Sequence, residues 1–167
     1  MLAWGRQRQL ATCEILYGNA VALAREPAFF RDHGVADNVD GRFDALALVV
    51  ALVMRRLKSC GEAGAELSQQ LFDTMFADMD LSLREMGAGD IGVSKRVRVM
   101  AEAFMGRLDA YATALDDGDR DALAAAIGRN LLRDEVSASP QLVDFVLSLE
   151  AHLSALDDET LLTGGLG

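Results

Sequence analysis

Residues 72–107 read FDTMFADMDLSLREMGAGDIGVSKRVRVMAEAFMGR, two helical patterns separated by Gly87-Ala88-Gly89. In the first pattern, apolar residues recur at spacings of three and four, which is typical of an amphipathic helix with one buried face. The predicted stripe consists of Phe72, Met75, Phe76, Met79, Leu83 and Met86. The stretch therefore predicts a helix that packs through a face rich in methionine.

The glycines between the two patterns predict a tight turn. Gly87 lies where a residue in the left-handed conformation commonly ends a helix, and Asp90 or Ser94 can cap the next one. The second pattern also has one apolar face, made of Val97, Met100, Phe104, Leu108, Tyr111 and Leu115. Because the two apolar faces can pack together, the sequence predicts an antiparallel helical hairpin with charged outer faces.

Three cations lie in the first turns of the second predicted helix: Lys95, Arg96 and Arg98. The dipole at a helix N-terminus favours acids, each contributing about 0.3–1 kcal/mol, so helix stability does not account for this cluster. Two interpretations are open. Neighbouring acids neutralise the cluster, for example through an i,i+4 pair between Arg98 and Glu102, or an anionic partner does.

The composition indicates one acidic, folded domain. The chain has 167 residues, 51% of them hydrophobic, and a formal net charge of −10, which argues against general nucleic-acid binding and against specific DNA binding. The charge is uneven, because residues 1–107 carry 13 basic and 14 acidic side chains and residues 108–167 carry 3 and 12. Charges more than about 8–10 Å apart are largely screened, so a locally basic surface is compatible with the acidic total.

The segment Phe43–Leu57 is apolar nearly all round and includes an uncharged run from Ala45 to Met54. Such a helix belongs at the centre of a core, and the run is half the length needed to cross a bilayer. No convincing period-two alternation occurs. The predicted fold is all-α, a single-domain bundle of six or seven helices around this central helix, with residues 1–156 as the domain and 157–167 as a mobile tail.

Patterns that indicate catalysis or a cofactor are absent from the sequence. No zinc, P-loop or dinucleotide motif occurs, and the paired acids Asp78 and Asp80 point apart on a helix. Cys13 and Cys60 form no CxxC motif and are expected to be buried in a protein of the reducing cytoplasm. We expect no catalytic residue, no bound metal, no cofactor, and a cytoplasmic location, since the first ten residues lack the apolar core of a secretory signal.

Methionine is the residue type that most suggests a binding surface. Five of the seven methionines fall in the hairpin: Met75, Met79, Met86, Met100 and Met105. Flexible, polarisable thioethers suit a surface that accepts varied apolar segments, although the same residues can instead fill the core. Met105 is the one that we most expect to be exposed.

The segment from Asp78 to Arg107, with Asp40-Gly41-Arg42-Phe43 upstream and Arg129-Asn130 downstream, resembles the ubiquinol-cytochrome c chaperone family. The similarity runs from about Tyr17 to Asn130, and its most specific part is LREMGAGD, Leu83 to Asp90. The resemblance implies an all-helical, non-catalytic assembly factor for the cytochrome bc1 complex. Mitochondrial members work with a small helical partner, bind near the ribosomal exit, and hold newly made cytochrome b until haem and further subunits arrive.

The expected partner-binding residues come from the resemblance and from the charge pattern. The resemblance implies a surface made of Asp78, Asp80, Arg84, Glu85, Gly87, Asp90, Lys95 and Arg107. The charge pattern and the exposed methionine add Arg96, Arg98 and Met105.

Our hypothesis is that the hairpin binds cytochrome b or another membrane-protein client. Its basic cluster would then contact lipid headgroups, peripherally at the inner face of the cell membrane, or ribosomal RNA. The alternative is a generic helical interaction module whose client is soluble.

Overall fold

The computed structural model describes residues 2–87 and 89–167, with side chains from residue 3 onwards. Within these ranges the chain forms seven α-helices, one π-helical turn, one 3₁₀ turn and no strand. The order is α1 (Leu2–Ala24), the π turn Ala28–Asp32, α2 (Val39–Leu57), the 3₁₀ turn Lys58–Cys60, α3 (Gly61–Glu85), α4 (Asp90–Asp116), α5 (Arg120–Leu131), α6 (Pro140–Ala155) and α7 (Asp158–Leu162). The predicted all-α bundle is confirmed.

Helix α2 is the centre of the fold. Every residue from Phe43 to Val53 is buried, and α2 contacts α1, α3, α4, α5 and α6. Its start is fixed by Asn38, whose side chain accepts a hydrogen bond from the Gly41 N–H at 2.8 Å. A helix surrounded on all sides can be apolar all round, which explains why this segment has no polar face.

The predicted hairpin consists of α3 and α4, which pack against each other and against α2. Gly87 has a φ of +87°, and its N–H donates to the carbonyl oxygen of Arg84 at 3.0 Å. A left-handed glycine therefore ends α3, as the sequence predicts. Ala88, the middle residue of the predicted turn, lies outside the described residues.

The last eleven residues differ from the expected mobile tail. Asp157 caps α7 by accepting a hydrogen bond from the Thr160 N–H at 2.7 Å, and Leu161 and Leu166 are 0% and 2% exposed. The Asn19 side chain of α1 donates to the Gly164 carbonyl at 2.8 Å. The folded part therefore continues past residue 156; a helix of five residues is too short to show a periodic pattern in sequence.

Candidate functional site

A cavity of about 410 Å³ opens beside the hairpin, between α1, the start of α2, the C-terminal half of α3 and the N-terminal half of α4. Its apolar wall includes Leu46, Met79, Leu83, Met86, Val99 and Met100. Met86 and Val99 are 65% and 55% exposed, so the wall faces solvent. We call this cavity the hairpin groove.

The polar lining of the hairpin groove is predominantly cationic. It contains five arginines and two aspartates: Arg25, Arg42, Arg96, Arg107, Arg133, Asp40 and Asp78. An excess of positive charge in an apolar cavity is unexpected on a chain with a net charge of −10. Three of the five arginines form ion pairs, Arg42 with Asp37 and both Arg107 and Arg133 with Asp44. Arg25 and Arg96 form none with the described residues.

Two of these arginines are held by one buried carboxylate. Asp44 is 1% exposed, and its oxygens accept hydrogen bonds from Arg107 Nη1 at 2.6 Å and Arg133 Nε at 2.6 Å. Removing a charge from water costs several kcal/mol unless it is paired. Asp44 therefore requires both arginines and fixes their positions beside the groove.

Arg133 has a second unusual feature, a φ of +53° in a residue that is not glycine. The left-handed conformation costs roughly 1–2 kcal/mol for a residue with a Cβ. Its hydrogen bond to Asp44 raises the pKa of Arg133 further above its usual value, and Asp40 lies 3.6 Å from Arg133 Nη1. These charge-assisted contacts offset the backbone strain and hold the loop after α5 against α2.

Sequence reasoning assigned no role to Asp44. The available signal was a single carboxylate inside an otherwise apolar pattern, which a central helix does not tolerate without partners. Those partners, Arg107 and Arg133, are 63 and 89 residues away along the chain, so their identity depends on the tertiary fold.

On the opposite wall of the groove, Tyr17 of α1 donates a hydrogen bond to Asp78 Oδ2 at 2.6 Å. Burial of the phenol, and then this bond to the carboxylate, raise the pKa of Tyr17, so it stays protonated at neutral pH. Asp78, one of the expected partner-binding residues, is therefore occupied by a contact that joins α3 to α1.

The tip of the hairpin is joined by ion pairs. Arg84 Nε donates to Asp80 Oδ2 at 2.8 Å, and the same guanidinium pairs with Asp90 at the start of α4. The three side chains are 36–89% exposed. These expected partner-binding residues bond to one another across the turn, while Glu85 and Gly87 beside them are exposed.

A family model described as Ubiquinol-cytochrome C chaperone matches residues 31–166. The chain belongs to this family.

Two relatives of the ubiquinol-cytochrome C chaperone family extend this finding. The chain is 29% identical over 140 residues to ubiquinol-cytochrome-c reductase complex assembly factor 1 of Xenopus laevis, which covers 82% of this chain and 70% of that protein. The crystal structure of the Cbp3 homolog from Brucella abortus matches with a TM-score of 0.84 and 36% identity, covering 98% of this chain and 91% of that one.

The family match continues to residue 166, beyond Asn130, where the similarity recognised in the sequence stops. Two of the three segments that carry that similarity meet at the hairpin groove, because Asp40, Arg42 and Phe43 line it together with residues of the hairpin. Gly41, which lies between Asp40 and Arg42, lets the start of α2 pack closely on the preceding loop, since a Cβ at that position would overlap the carbonyl oxygen of Ala36.

In this member of the chaperone family, the basic cluster is divided between two surfaces. Arg96 lines the hairpin groove, whereas Lys95 and Arg98 border a separate shallow depression with Asp90 and Ile91. None of the three cations forms an ion pair with any residue in the described ranges, and the expected pair of Arg98 with Glu102 is not formed there. The intrahelical pair expected under the first interpretation is therefore absent from the described residues, and the anionic partner stays a prediction.

The hairpin methionines also lie in different places: the groove, the core and a second cavity. Met79, Met86 and Met100 line the groove, and Met75 is 0% exposed in the core. Met105 is exposed as expected, at 50%, but Met86 is more exposed, at 65%. Met105 borders a second cavity of about 800 Å³ near Met54, Gln69 and Asp116. The proposed methionine surface therefore has three members in the groove rather than five.

The histidine, cysteine and acidic side chains of the described residues do not gather into a metal site. Across the described residues, no set of three or more His, Cys, Asp or Glu is placed to hold a metal ion. His152 Nε2 lies 2.6 Å from the Leu166 carbonyl oxygen. Cys13 is buried as expected and Cys60 is only half-buried. Within the same residues, no helix has both the length and the apolar character needed to cross a bilayer.

Proposed function

We propose that this chain is a non-catalytic assembly chaperone for the cytochrome bc1 complex and that it binds newly made cytochrome b in the hairpin groove. The observation that carries the proposal is the open, methionine-lined groove formed where residues 40–43 meet the hairpin, both within the family match. The Xenopus relative is named as an assembly factor for ubiquinol-cytochrome-c reductase, which supports the same client complex.

The shape and lining of the groove suit an apolar helix. A helix that docks in a groove places residues of one face against a hydrophobic wall, and here Met79, Met86 and Met100 form that wall. Methionine side chains adapt to different apolar surfaces because they are unbranched and rotate freely. A newly made membrane protein presents several such helices before they pair with one another, so an adaptable wall is an advantage.

The polar groups of the groove support a binding role instead of catalysis. Acid–base chemistry needs a group that exchanges protons near neutral pH. The lining carboxylate of Asp78 is bonded to Tyr17, Asp40 is paired with Arg133, and the arginines keep their charge at any physiological pH. In this proposal these groups position the walls of the groove and attract a client.

The depression bordered by Lys95 and Arg98 supports a second contact, with a phosphate-rich surface. Its cations face solvent close to Ile91, which is 90% exposed. In this proposal the tip of the hairpin approaches one of two surfaces near a nascent membrane protein. They are the lipid headgroups at the inner face of the membrane and the RNA of the ribosome. Contacts of this kind release counterions and weaken as salt rises.

Photocrosslinking in the native host tests the groove directly. A photoreactive amino acid is placed at Val99 in the groove or at Leu81 on the same hairpin outside it; both side chains are 55% exposed. We expect a cytochrome b adduct from position 99 and none from position 81, with adducts strongest during active synthesis. Adducts only with soluble proteins at position 99 would favour the generic interaction module, and equal adducts at both positions would contradict the groove.

Replacing Lys95 and Arg98 by Glu tests the phosphate contact. We expect the variant to fold, because neither cation has an ion-pair partner among the described residues, and to lose co-sedimentation with membranes or ribosomes at low salt. Unchanged co-sedimentation would remove this contact from the proposal without affecting the groove.

A further inference from the structure

We propose that the hairpin groove contains a carboxylate-binding subsite at Arg96, so that it selects apolar client segments that carry an Asp or Glu beside the apolar run. The inference rests on the proposed function, because it describes the chemistry of the client in the same groove. It goes beyond the proposed function because it names the residue that determines which client segments bind.

Arg96 is placed in the groove with no acceptor of its own. It makes no hydrogen bond or ion pair with any described residue, although two carboxylates line the same groove. Asp78 instead accepts from Tyr17 through Oδ2 at 2.6 Å, and Asp40 lies 3.6 Å from Arg133, so neither carboxylate bonds to Arg96. The guanidinium of Arg96 therefore has its full donor capacity available to a ligand.

The position of Arg96 on α4 links it to the methionine wall. Met100 follows it by four positions and Arg107 by eleven, and all three line the groove. Residues at these spacings lie along one face of a helix, with Arg96 and Arg107 about 16 Å apart at 1.5 Å per residue. A client helix that covers Met100 must therefore also cover or contact Arg96.

The energetics of covering Arg96 favour an acidic client. An arginine that is removed from water without an acceptor loses its hydration, which costs several kcal/mol. A purely apolar segment provides no acceptor, whereas a carboxylate accepts two hydrogen bonds from one guanidinium in a parallel geometry. Arg25, which also lines the groove and forms no ion pair with a described residue, adds attraction of the same sign.

A peptide array tests the subsite. Overlapping 20-residue segments of the host's cytochrome b are presented twice, once as the natural sequence and once with every Asp and Glu replaced by Asn and Gln. The full chain is applied as wild type, as Arg96→Gln and as Arg8→Gln. Arg8 is the matched control, since it is an exposed arginine of α1 outside the groove lining.

We expect wild type and Arg8→Gln to bind the best natural segments about tenfold more tightly than their amide versions, the size of one charge-assisted contact. Arg96→Gln should bind both versions with equal, lower affinity. Binding of natural and amide segments alike by wild type would overturn the subsite and leave the groove proposal intact. Absence of binding to any segment would overturn both.

A lipid phosphate is the competing source of negative charge, and a vesicle experiment separates it. The three proteins are mixed with phosphatidylserine vesicles and with phosphatidylcholine vesicles. We expect Arg96→Gln and Arg8→Gln to bind phosphatidylserine equally. A loss of vesicle binding confined to Arg96→Gln, together with no peptide preference, would assign Arg96 to the membrane and overturn the inference.

Discussion

The two ends of the α3–α4 hairpin, its base near the core and its tip at the turn, differ in how deeply their side chains are buried. At the base, Met75, Phe104 and Tyr111 are 0–2% exposed and pack into the core around α2. At the tip, Leu81, Met86 and Ile91 are 55%, 65% and 90% exposed. The same two helices thus change from core elements to surface elements over their length.

The few contacts at the tip explain how it can serve recognition. Leu83 and Val93 are buried there, but they lie outside the main core cluster, and the ion pairs of Arg84 are exposed to solvent. Exposed pairs contribute little to stability, and segments with few buried contacts open at low free-energy cost. We infer that the base supplies stability and the tip supplies an adaptable binding surface.

The largest expected effect is at the base, where Asp44→Asn removes the buried counter-charge of Arg107 and Arg133. The free energy of unfolding should fall by about 3–5 kcal/mol, because breaking a buried ion pair leaves its cations uncompensated. Urea unfolding followed by circular dichroism measures the change. The control is Asp37→Asn, whose pair with Arg42 is mostly exposed and should cost less than about 1 kcal/mol. Equal losses in both variants would contradict the assigned role of Asp44.

Leu83→Ala should reduce stability by about 2–3 kcal/mol, because it leaves a cavity at a buried position. The neighbouring Leu81→Ala removes the same atoms from a side chain that is 55% exposed and should change stability by about 0.5 kcal/mol or less. Amide hydrogen exchange then locates the effect. We expect faster exchange between residues 80 and 95 in Leu83→Ala and little change around Phe104; uniform acceleration along α4 would show that tip and base are one cooperative unit.

A smaller loss of stability is expected from a substitution in the turn between α3 and α4. Gly87→Ala places a Cβ on a residue with a φ of +87°, which costs about 1 kcal/mol. Gly89 has a φ of −70° and open space around it, so Gly89→Ala should be nearly neutral. Thermal unfolding of the two variants under identical conditions measures the difference. A loss in Gly89→Ala as large as in Gly87→Ala would mean that the turn needs two flexible residues rather than one left-handed one.

The helices and the turn of the hairpin could be predicted from the sequence, because they depend on residues close together along the chain. Apolar spacing predicts α3 and α4, and the position of Gly87 predicts the left-handed turn between them; both are confirmed. The same is true of the central helix, since Phe43–Leu57 has no polar face. Helix periodicity and turn chemistry depend on neighbours within about one turn, which a single sequence displays.

The groove was harder to predict from the sequence, because it depends on contacts between residues that are far apart along the chain. Helical geometry separates Arg96 from Arg98 by about 200°, but only the packing of α1 and α2 shows that Arg96 is the one in the groove. The same holds for Asp78, which Tyr17 engages from 61 residues away. The folded end of the chain was missed for a related reason, since Leu161 and Leu166 are buried by tertiary contacts.

The smallest effect on stability, and the sharpest separation of tip from base, is expected for exposed methionines. Met86→Gln and Met105→Gln replace side chains that are 65% and 50% exposed with an amide of similar length, so both variants should unfold within about 0.5 kcal/mol of wild type. Met86 lines the hairpin groove and Met105 borders the second cavity. Binding to the best cytochrome b segments should therefore weaken several-fold in Met86→Gln, because a polar amide must be desolvated against an apolar helix, and stay unchanged in Met105→Gln. Equal weakening in both would extend the binding surface around α4 to the second cavity, as the sequence hypothesis for Met105 requires, and would show that recognition is not confined to the tip.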